Sequence, residues 1–429
     1  MGPHGSFGGL LRRIPRVRSR LRLPGATLQA ARSFVGAPAG RRNARQMRKI
    51  LFLISEDWFF VSHFLPMARA AREAGFEVVV ATRVNKHHQR IAAEQCRVIP
   101  LDIERGSLAA VEVLRSAARV FSIVRRERPA IVHCIALRMI MLGGLPAKFA
   151  GAGALVLAPT GLGHLWTGNG TTERCLRPLV RTIVGRWLRG PRTHYLFENS
   201  DDPGEFGLDP ADPHVTIVAG AGVKPEDFPV SPEPPAPPIK LAVVARMLRS
   251  KGIAEAVEAT RRARLLGAPV ELDIFGAPDP SNPASIPEAE LRQWSSQPGI
   301  AWRGTSNDVA RVWREHHVAI FLSYYREGLP RTLTEAAACG RPIITFDVVG
   351  CREVVRDGID GLLVPSGDVD AAARAIVKLA ADASLRAQLA AAAHRRFLER
   401  LTEDGVRRAV GDLYQRAVRP GAAQQNAGR

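Results

Sequence analysis

Four side chains in the second half of the chain have types and spacings that suit one kind of chemistry. Arg246 and Lys251 sit in "ARMLRSKG" (245–252), and Glu327 and Glu335 in "SYYREGLPRTLTEAAACGRPIITF" (323–346). Two cations that straddle a tight turn between a strand and a helix suit a diphosphate, which arginine grips bidentately and lysine as a point charge. The N–H groups of Gly328 and Leu329, just ahead of Pro330, can face a phosphate or a sugar. Carboxylates are poor phosphate ligands but good acceptors for hydroxyls. Glu327 and Glu335 therefore suit a hexose and a ribose on either side of that diphosphate. Two further loops, "FGAPDPSNPASIPEAELRQW" (275–294) with Gly276 at its opening and "WRGTSND" (302–308) with Arg303, have the polar character to hold the edge of a base. Each feature alone also describes a solvated basic loop or a capped helix. Their joint occurrence at one sheet edge specifies a pocket for a nucleotide diphosphate-sugar.

The elements that must position these residues are legible as apolar runs. "KILFLI" (49–54), "FEVVVAT" (76–82), "RVIPLD", "AIVHCI" (130–135), "ALVLAP" (154–159), "THYLFE" (193–198) and "HVTIVA" (214–219) alternate with helical patterns, one of them over 62–75. A break follows at "VKPEDFPVSPEPPAPPI" (223–239), which holds seven prolines and reads as a stiff linker. Alternation resumes with "KLAVVA" (240–245), "VELDIFG", "IAWRG", "VAIFLS" (318–323), "PIITFD" (342–347) and "GLLVP" (361–365). Continuous apolar strands separated by helices mean parallel sheets covered on both faces. The expected class is α/β: two doubly wound, Rossmann-like domains facing a cleft, with ligands beyond the strand carboxyl ends. The expected divisions are a basic tail (1–47), a first domain (48–222), the linker (223–239), a second domain (240–395) and C-terminal helices and tail (396–429).

The formal charge of +19 is largely the tail's: residues 1–49 hold twelve Arg or Lys and no Asp or Glu. Three readings of it stay open: a polybasic segment drawn to anionic lipid, an organelle-targeting segment, or a start of translation at Met47. Aromatics make up 6% of the chain, with no aromatic-plus-basic array in the folded part, which disfavours nucleic acid. Five cysteines without a CxxC argue against a disulfide framework and for a reducing compartment. No stretch reads as a transmembrane helix.

"ARMLRSKG" and "SYYREGLPRTLTEAAACGRPIITFDVVGCREVVRDGIDGLLVP" resemble the retaining GT-B glycosyltransferases called family 4. The resemblance spans about residues 48–415 and is strongest over 240–365. It implies that Arg246 and Lys251 grip the donor diphosphate, that Glu327 lies near the donor sugar and that Glu335 binds the nucleotide ribose. "RGSLAAVEVL", "TGLGHLW" and "NPASI" are similar to a narrower branch. That branch transfers N-acetylhexosamines from UDP-sugars to undecaprenyl-diphosphate-linked saccharides.

The resemblance also implies C-terminal helices that cross back to the first domain, and a histidine near the reacting sugar, whose role falls to His133. His63 and His164 are further candidates, on the acceptor side. Asp57 is another, in "SEDWFFVSH", where many members have a glycine pair. No Asp-x-Asp pair stands at a strand end and two cations can replace a metal ion, so transfer without metal or other cofactor is expected, with retention implied by the resemblance. No carboxylate stands out as a nucleophile at the first-domain edge. The expected partners are a nucleotide-sugar donor, a lipid-linked saccharide and an anionic membrane surface. "RCLRPLVRTIVGRWLRGPR" (174–192) would dock on that surface, from the cytoplasmic side. Two rival readings stay open: a UDP-sugar epimerase or hydrolase of the same fold, and a transferase that uses another acceptor.

Overall fold

A computed structural model of the chain describes residues 47–101, 110–168, 170–280 and 282–419. The expectations for the basic tail lie outside these residues. Among the described residues thirteen strands form two parallel sheets. The first contains β1 (Arg48–Glu56), β2 (Phe76–Arg83), β3 (Arg97–Pro100), β4 (Ile131–Ile135), β5 (Leu155–Ala158), β6 (Thr193–Phe197) and β7 (Val215–Ile217), in the order β3-β2-β1-β4-β5-β6-β7. The second contains β8 (Ile239–Val244), β9 (Val270–Phe275), β10 (Ile300–Gly304), β11 (Val318–Phe321), β12 (Ile343–Phe346) and β13 (Leu362–Val364), in the order β10-β9-β8-β11-β12-β13. The strand order reverses between β1 and β4 in one sheet and between β8 and β11 in the other. A doubly wound sheet opens a crevice at that point.

The central strands are apolar along their length because helices cover both faces; Ile50 to Ile54 of β1 are fully buried. The helical pattern read over 62–75 is two helices, Asp57–His63 and Leu65–Glu73, with a corner at Phe64. Pro66 causes the break: it has no N–H to donate and is accommodated in a first helical turn. The proline-rich linker is fastened to the second domain. Arg341 donates to Ser231 Oγ and to the Pro232 carbonyl, and Glu233 pairs with Arg386.

The last helix, Glu403–Val418, leaves the second domain and packs on the first. Its Tyr414 lies among Phe52, Phe76 and His133, and Glu403 pairs with Arg69 at 3.0 Å. One apolar cluster therefore runs from Phe52 and Phe60 through Tyr414 to Phe321 and Ala336 of the second domain.

Candidate functional site

The segments after β8 and β11 flank the crevice of the second sheet and carry the candidate cations and carboxylates. After β8 a short turn, Arg249–Lys251, ends at Gly252 with φ of 68°. A Cβ at Gly252 would stand 1.7 Å from the Leu322 carbonyl oxygen, so only glycine lets the turn pass so close to β11. The turn aims Lys251 across the crevice. Its Nζ lies 2.5 Å from Glu327 Oε1, and Ser323 Oγ donates to the same oxygen at 3.1 Å. Both members of the ion pair are 15% exposed, at the floor of a pocket of about 390 Å³.

That pocket is lined from the second domain by Arg246, Lys251, Glu327, Gly328 and Leu329, and from the first by Trp58, Phe59, His63, Thr160 and Glu198. An adjoining pocket of about 450 Å³ shares Val244, Ala245 and Arg246 with it and continues over Gly276, Asp279, Thr305 and Ser306. Arg246 stands at the junction, 55% exposed, its guanidinium 3.5 Å from Asp279. Two lobes that meet at Arg246, with Lys251 in one of them, suit a diphosphate between them, a base and ribose in the lobe near Gly276, and a sugar in the lobe near Glu327.

The remaining expectations fare unevenly. Glu335 is buried, its carboxylate held by Arg331 at 2.7 Å. Burial raises its pKa, against the pull of Arg331. Arg331 also donates to the Ser62 carbonyl at 3.0 Å, tying the helix Arg331–Ala338 to the first domain. Arg303 lies away from both lobes, on an exposed ion pair with Asp273 at 3.0 Å.

His133 does not face the cleft. It is fully buried, Nδ1 2.9 Å from the Tyr414 hydroxyl, against Phe52 and Phe64. Burial holds its pKa down at about 3, so it is a neutral ring in an apolar core. It lies in the middle of β4, not at its end, and the helix from the far end of the chain covers it.

His63 is the histidine in the pocket. Burial first, then Arg331, lowers its pKa to about 4, opposed by the Phe59 carbonyl and aided by Arg246 and Lys251. It presents a neutral imidazole whose Nδ1 is 2.7 Å from Ser62 Oγ. Asp57 is fully buried, and its Oδ2 accepts the N–H groups of Asn85 and His87 at 2.7 and 3.0 Å. It shapes the loop rather than facing an acceptor. His164 sits on the short helix Gly163–Thr167, but its side chain lies outside the described residues.

A first-domain carboxyl group went unread in the sequence. Glu198 follows β6 and lines the pocket, with the Leu329 N–H near enough to favour its ionised form. Burial pushes its carboxyl up to about 7 against the pull of that N–H, with Asp202 and Glu327 adding to the rise. Its signal was positional: it is a polar residue at a strand carboxyl end, masked by the apolar run "THYLFE" that precedes it. Among the described residues no group of three His, Cys, Asp or Glu could hold a metal ion.

Similarity to known proteins covers both domains. The family model described as "Glycosyl transferases group 1" matches residues 238–382, and "Glycosyl transferase 4-like" matches 49–186. The chain is 22% identical over 375 residues to the N,N'-diacetylbacillosaminyl-diphospho-undecaprenol alpha-1,3-N-acetylgalactosaminyltransferase of Campylobacter jejuni, covering 84% of this chain and 96% of that one. It is 33% identical over 267 residues to a D-inositol 3-phosphate glycosyltransferase of Stackebrandtia nassauensis, covering 57% and 59%.

Two solved structures share the fold. The glycosyltransferase from Rickettsia africae superposes with a TM-score of 0.69 at 14% identity, over 88% of this chain and all of that one. Anabaena Alr3699/HepE, in complex with UDP-glucose, superposes with 0.67 at 15% identity, over 86% and 99%.

Proposed function

We propose, from the premise that the chain belongs to the group 1 glycosyltransferases of GT-B fold, that it moves a sugar from a UDP-sugar to a lipid-linked saccharide in polysaccharide biosynthesis. The sugar is an N-acetylhexosamine and the acceptor a polyprenyl-diphosphate saccharide. The observation that carries the donor half is the Lys251–Glu327 pair at 2.5 Å in one lobe, with Arg246 where that lobe adjoins the next. The acceptor half is supported by the Campylobacter jejuni relative, named for such a lipid-linked substrate.

The diphosphate lies across Arg246 and Lys251, which stabilise the negative charge that grows on the leaving group. Electrostatic preorganisation of this kind is worth about 3 kcal/mol per donor. Glu327 accepts from hydroxyls of the sugar. His63 and Trp58 close the lobe from the acceptor side, and closure excludes water. Charge stabilisation by two cations needs no metal, and transfer retains the anomeric configuration.

Peripheral attachment to the inner face of the cytoplasmic membrane goes with such an acceptor. Among the described residues no helix is long and apolar enough to cross a membrane. Near the end of the 174–192 segment, Trp187 (52% exposed) and Phe149 (77%) are linked by Lys148, which donates to the Trp187 carbonyl at 2.7 Å. Two arginines of that segment are engaged elsewhere. Arg177 holds the Leu165 and Gly168 carbonyls, and Arg181 pairs with Glu205. The docking face is therefore Phe149, Trp187 and the exposed Arg186.

The test is UDP release from a panel of UDP-sugars, with and without a polyprenyl-diphosphate saccharide. Acceptor-dependent release with one sugar, unchanged by EDTA, is expected. Release without acceptor would instead mean a hydrolase or epimerase. Release abolished by EDTA would overturn the metal-free mechanism.

A further inference from the structure

Gly328 follows the glutamate of the donor pocket, and its backbone is enclosed by the first domain. A Cβ there would stand 1.8 Å from Glu198 Oε2 and 3.2 Å from the Gly161 nitrogen. Both peptide groups around it are held. Glu198 packs against the turn with the Leu329 N–H favouring its carboxylate, and Asn199, fully buried, donates from Nδ2 to the Gly328 carbonyl at 3.3 Å. Asn199 is itself fixed, donating to Asp202 Oδ2 at 2.9 Å and accepting the Asp202 N–H at 2.8 Å. Arg326, two residues before Gly328, pairs with Asp202 and Glu205, each at 2.9 Å, and its carbonyl accepts the Gly163 N–H at 3.2 Å. The turn that presents Glu327 thus belongs by sequence to the second domain, yet the first domain fixes its backbone.

We propose that Glu198 and Asn199 are positioning residues of the first domain that set the Glu327–Leu329 turn, so that the donor site is complete only when the domains are closed. The inference rests on the reading that this pocket takes a sugar donor. It adds that the acceptor domain assembles the donor's sugar lobe. With the domains parted, the turn loses both clamps and Glu327 loses its fixed position. The nucleotide lobe around Gly276 lies wholly on the second domain and keeps its shape. An unaccompanied donor then binds without being activated, which suppresses hydrolysis.

The clamp is sensitive to proton concentration. Glu198 feels Asp202 on its own segment and Glu327 across the cleft, and shares a second cavity with Glu353, Glu399 and Arg400 of the second domain and the C-terminal helices. The Leu329 N–H favours the ionised carboxylate, so the clamp tightens as Glu198 loses its proton near pH 7. A glutamine keeps an acceptor oxygen at every pH.

Amide hydrogen exchange of the full chain over residues 326–332 tests the clamp without reference to any sugar. Glu198→Ala is expected to exchange at least tenfold faster there than the parent, with other segments unchanged, and Glu198→Gln to stay near the parent rate. Asn199→Ala provides a second variant with the same expected gain if Glu198→Ala does not fold. Unchanged exchange in the alanine variants would overturn the proposal.

In UDP-release assays the parent's kcat is expected to rise through pH 7 and that of Glu198→Gln to be flat. Glu198→Ala is expected to lose kcat at least tenfold while the Kd for UDP moves less than twofold. A parallel loss of UDP affinity would place Glu198 in nucleotide binding and overturn the positioning role. Failure of every donor to turn over would remove the transferase reading, but the exchange result would still stand.

Discussion

Lys251 Nζ lies 2.5 Å from Glu327 Oε1, although the two residues are 76 positions apart in the chain. They meet because β8 and β11 are neighbours at the reversal of strand order, so the segments that leave their carboxyl ends face one another across the crevice. Each residue fixes the other; in the proposed reading the carboxylate so held meets the sugar and the cation meets the phosphate.

Removal of either partner therefore harms more than one contact. Lys251→Ala is expected to lower kcat by about 10²–10³, the cost of removing one charge-stabilising donor. Glu327→Ala is expected to lose as much. The double variant should be less impaired than the product of the two single effects, with a coupling of about 0.5–3 kcal/mol. Single-turnover UDP release from the four proteins measures it, and strict additivity would mean that the ion pair has no role in turnover.

Trp58 is 36% exposed at the mouth of the pocket, with Phe59 beside it at a ring distance of 5.6 Å. An indole face there offers an apolar platform for a sugar ring that enters from the first domain. Trp58→Ala is expected to raise the KM for the saccharide acceptor about tenfold, roughly 1.4 kcal/mol, and to leave the Kd for UDP unchanged. Titration of acceptor at saturating donor gives the first value and calorimetry the second.

Histidines held neutral make the fold sensitive to acid. Burial lowers the pKa of both His133 and His63, to about 3 and about 4, from an ordinary value of 6.5. Below 6.5 the unfolded chain takes up protons that the folded chain refuses. Stability is thus full above pH 6.5 and falls as pH drops towards 4. The melting temperature is expected to fall over that window, and less steeply in His133→Phe. That variant also loses the bond to Tyr414, so at pH 8 it should melt below the parent. It should keep its turnover per folded molecule, because His133 has no access to the cleft. A loss of kcat at unchanged stability would restore the role that family resemblance implies.

The strands were the most legible part of the fold. Buried parallel strands are apolar along their whole length, and all thirteen runs read in the sequence are strands. Arg246, Lys251 and Glu327 were legible because they follow strand ends, where a local rule applies. His133 was read by the same rule but lies in the middle of β4 rather than at its end. Its neighbour Tyr414 is 281 positions away, and no pattern around residue 133 records that a C-terminal helix covers it. The opposite failure befell Glu198, hidden at the end of an apolar run while its partner Leu329 lies in the other domain. Asp57 misled differently: a carboxylate after a strand also suits two backbone N–H groups of a neighbouring loop. What could not be read were contacts between distant segments.

Glu335 separates a structural role from a binding role most sharply. Its carboxylate is buried and raised by burial, and Arg331 compensates it at 2.7 Å while reaching Ser62 of the first domain. Removal of the arginine leaves a buried carboxylate unpaired, which costs more than neutralising the acid itself. Arg331→Ala is therefore expected to destabilise the protein by about 1–2 kcal/mol, a figure reduced because Arg331 is 44% exposed. Glu335→Gln should cost less than half of that. Denaturant titration of the two variants checks the order. If Glu335 also accepts from the ribose, Glu335→Gln will raise the KM for the UDP-sugar about tenfold while the Kd for inorganic diphosphate stays constant. An unchanged donor KM would leave Glu335 only the task of anchoring Arg331, and the ribose would have to find its acceptor elsewhere in the lobe around Gly276.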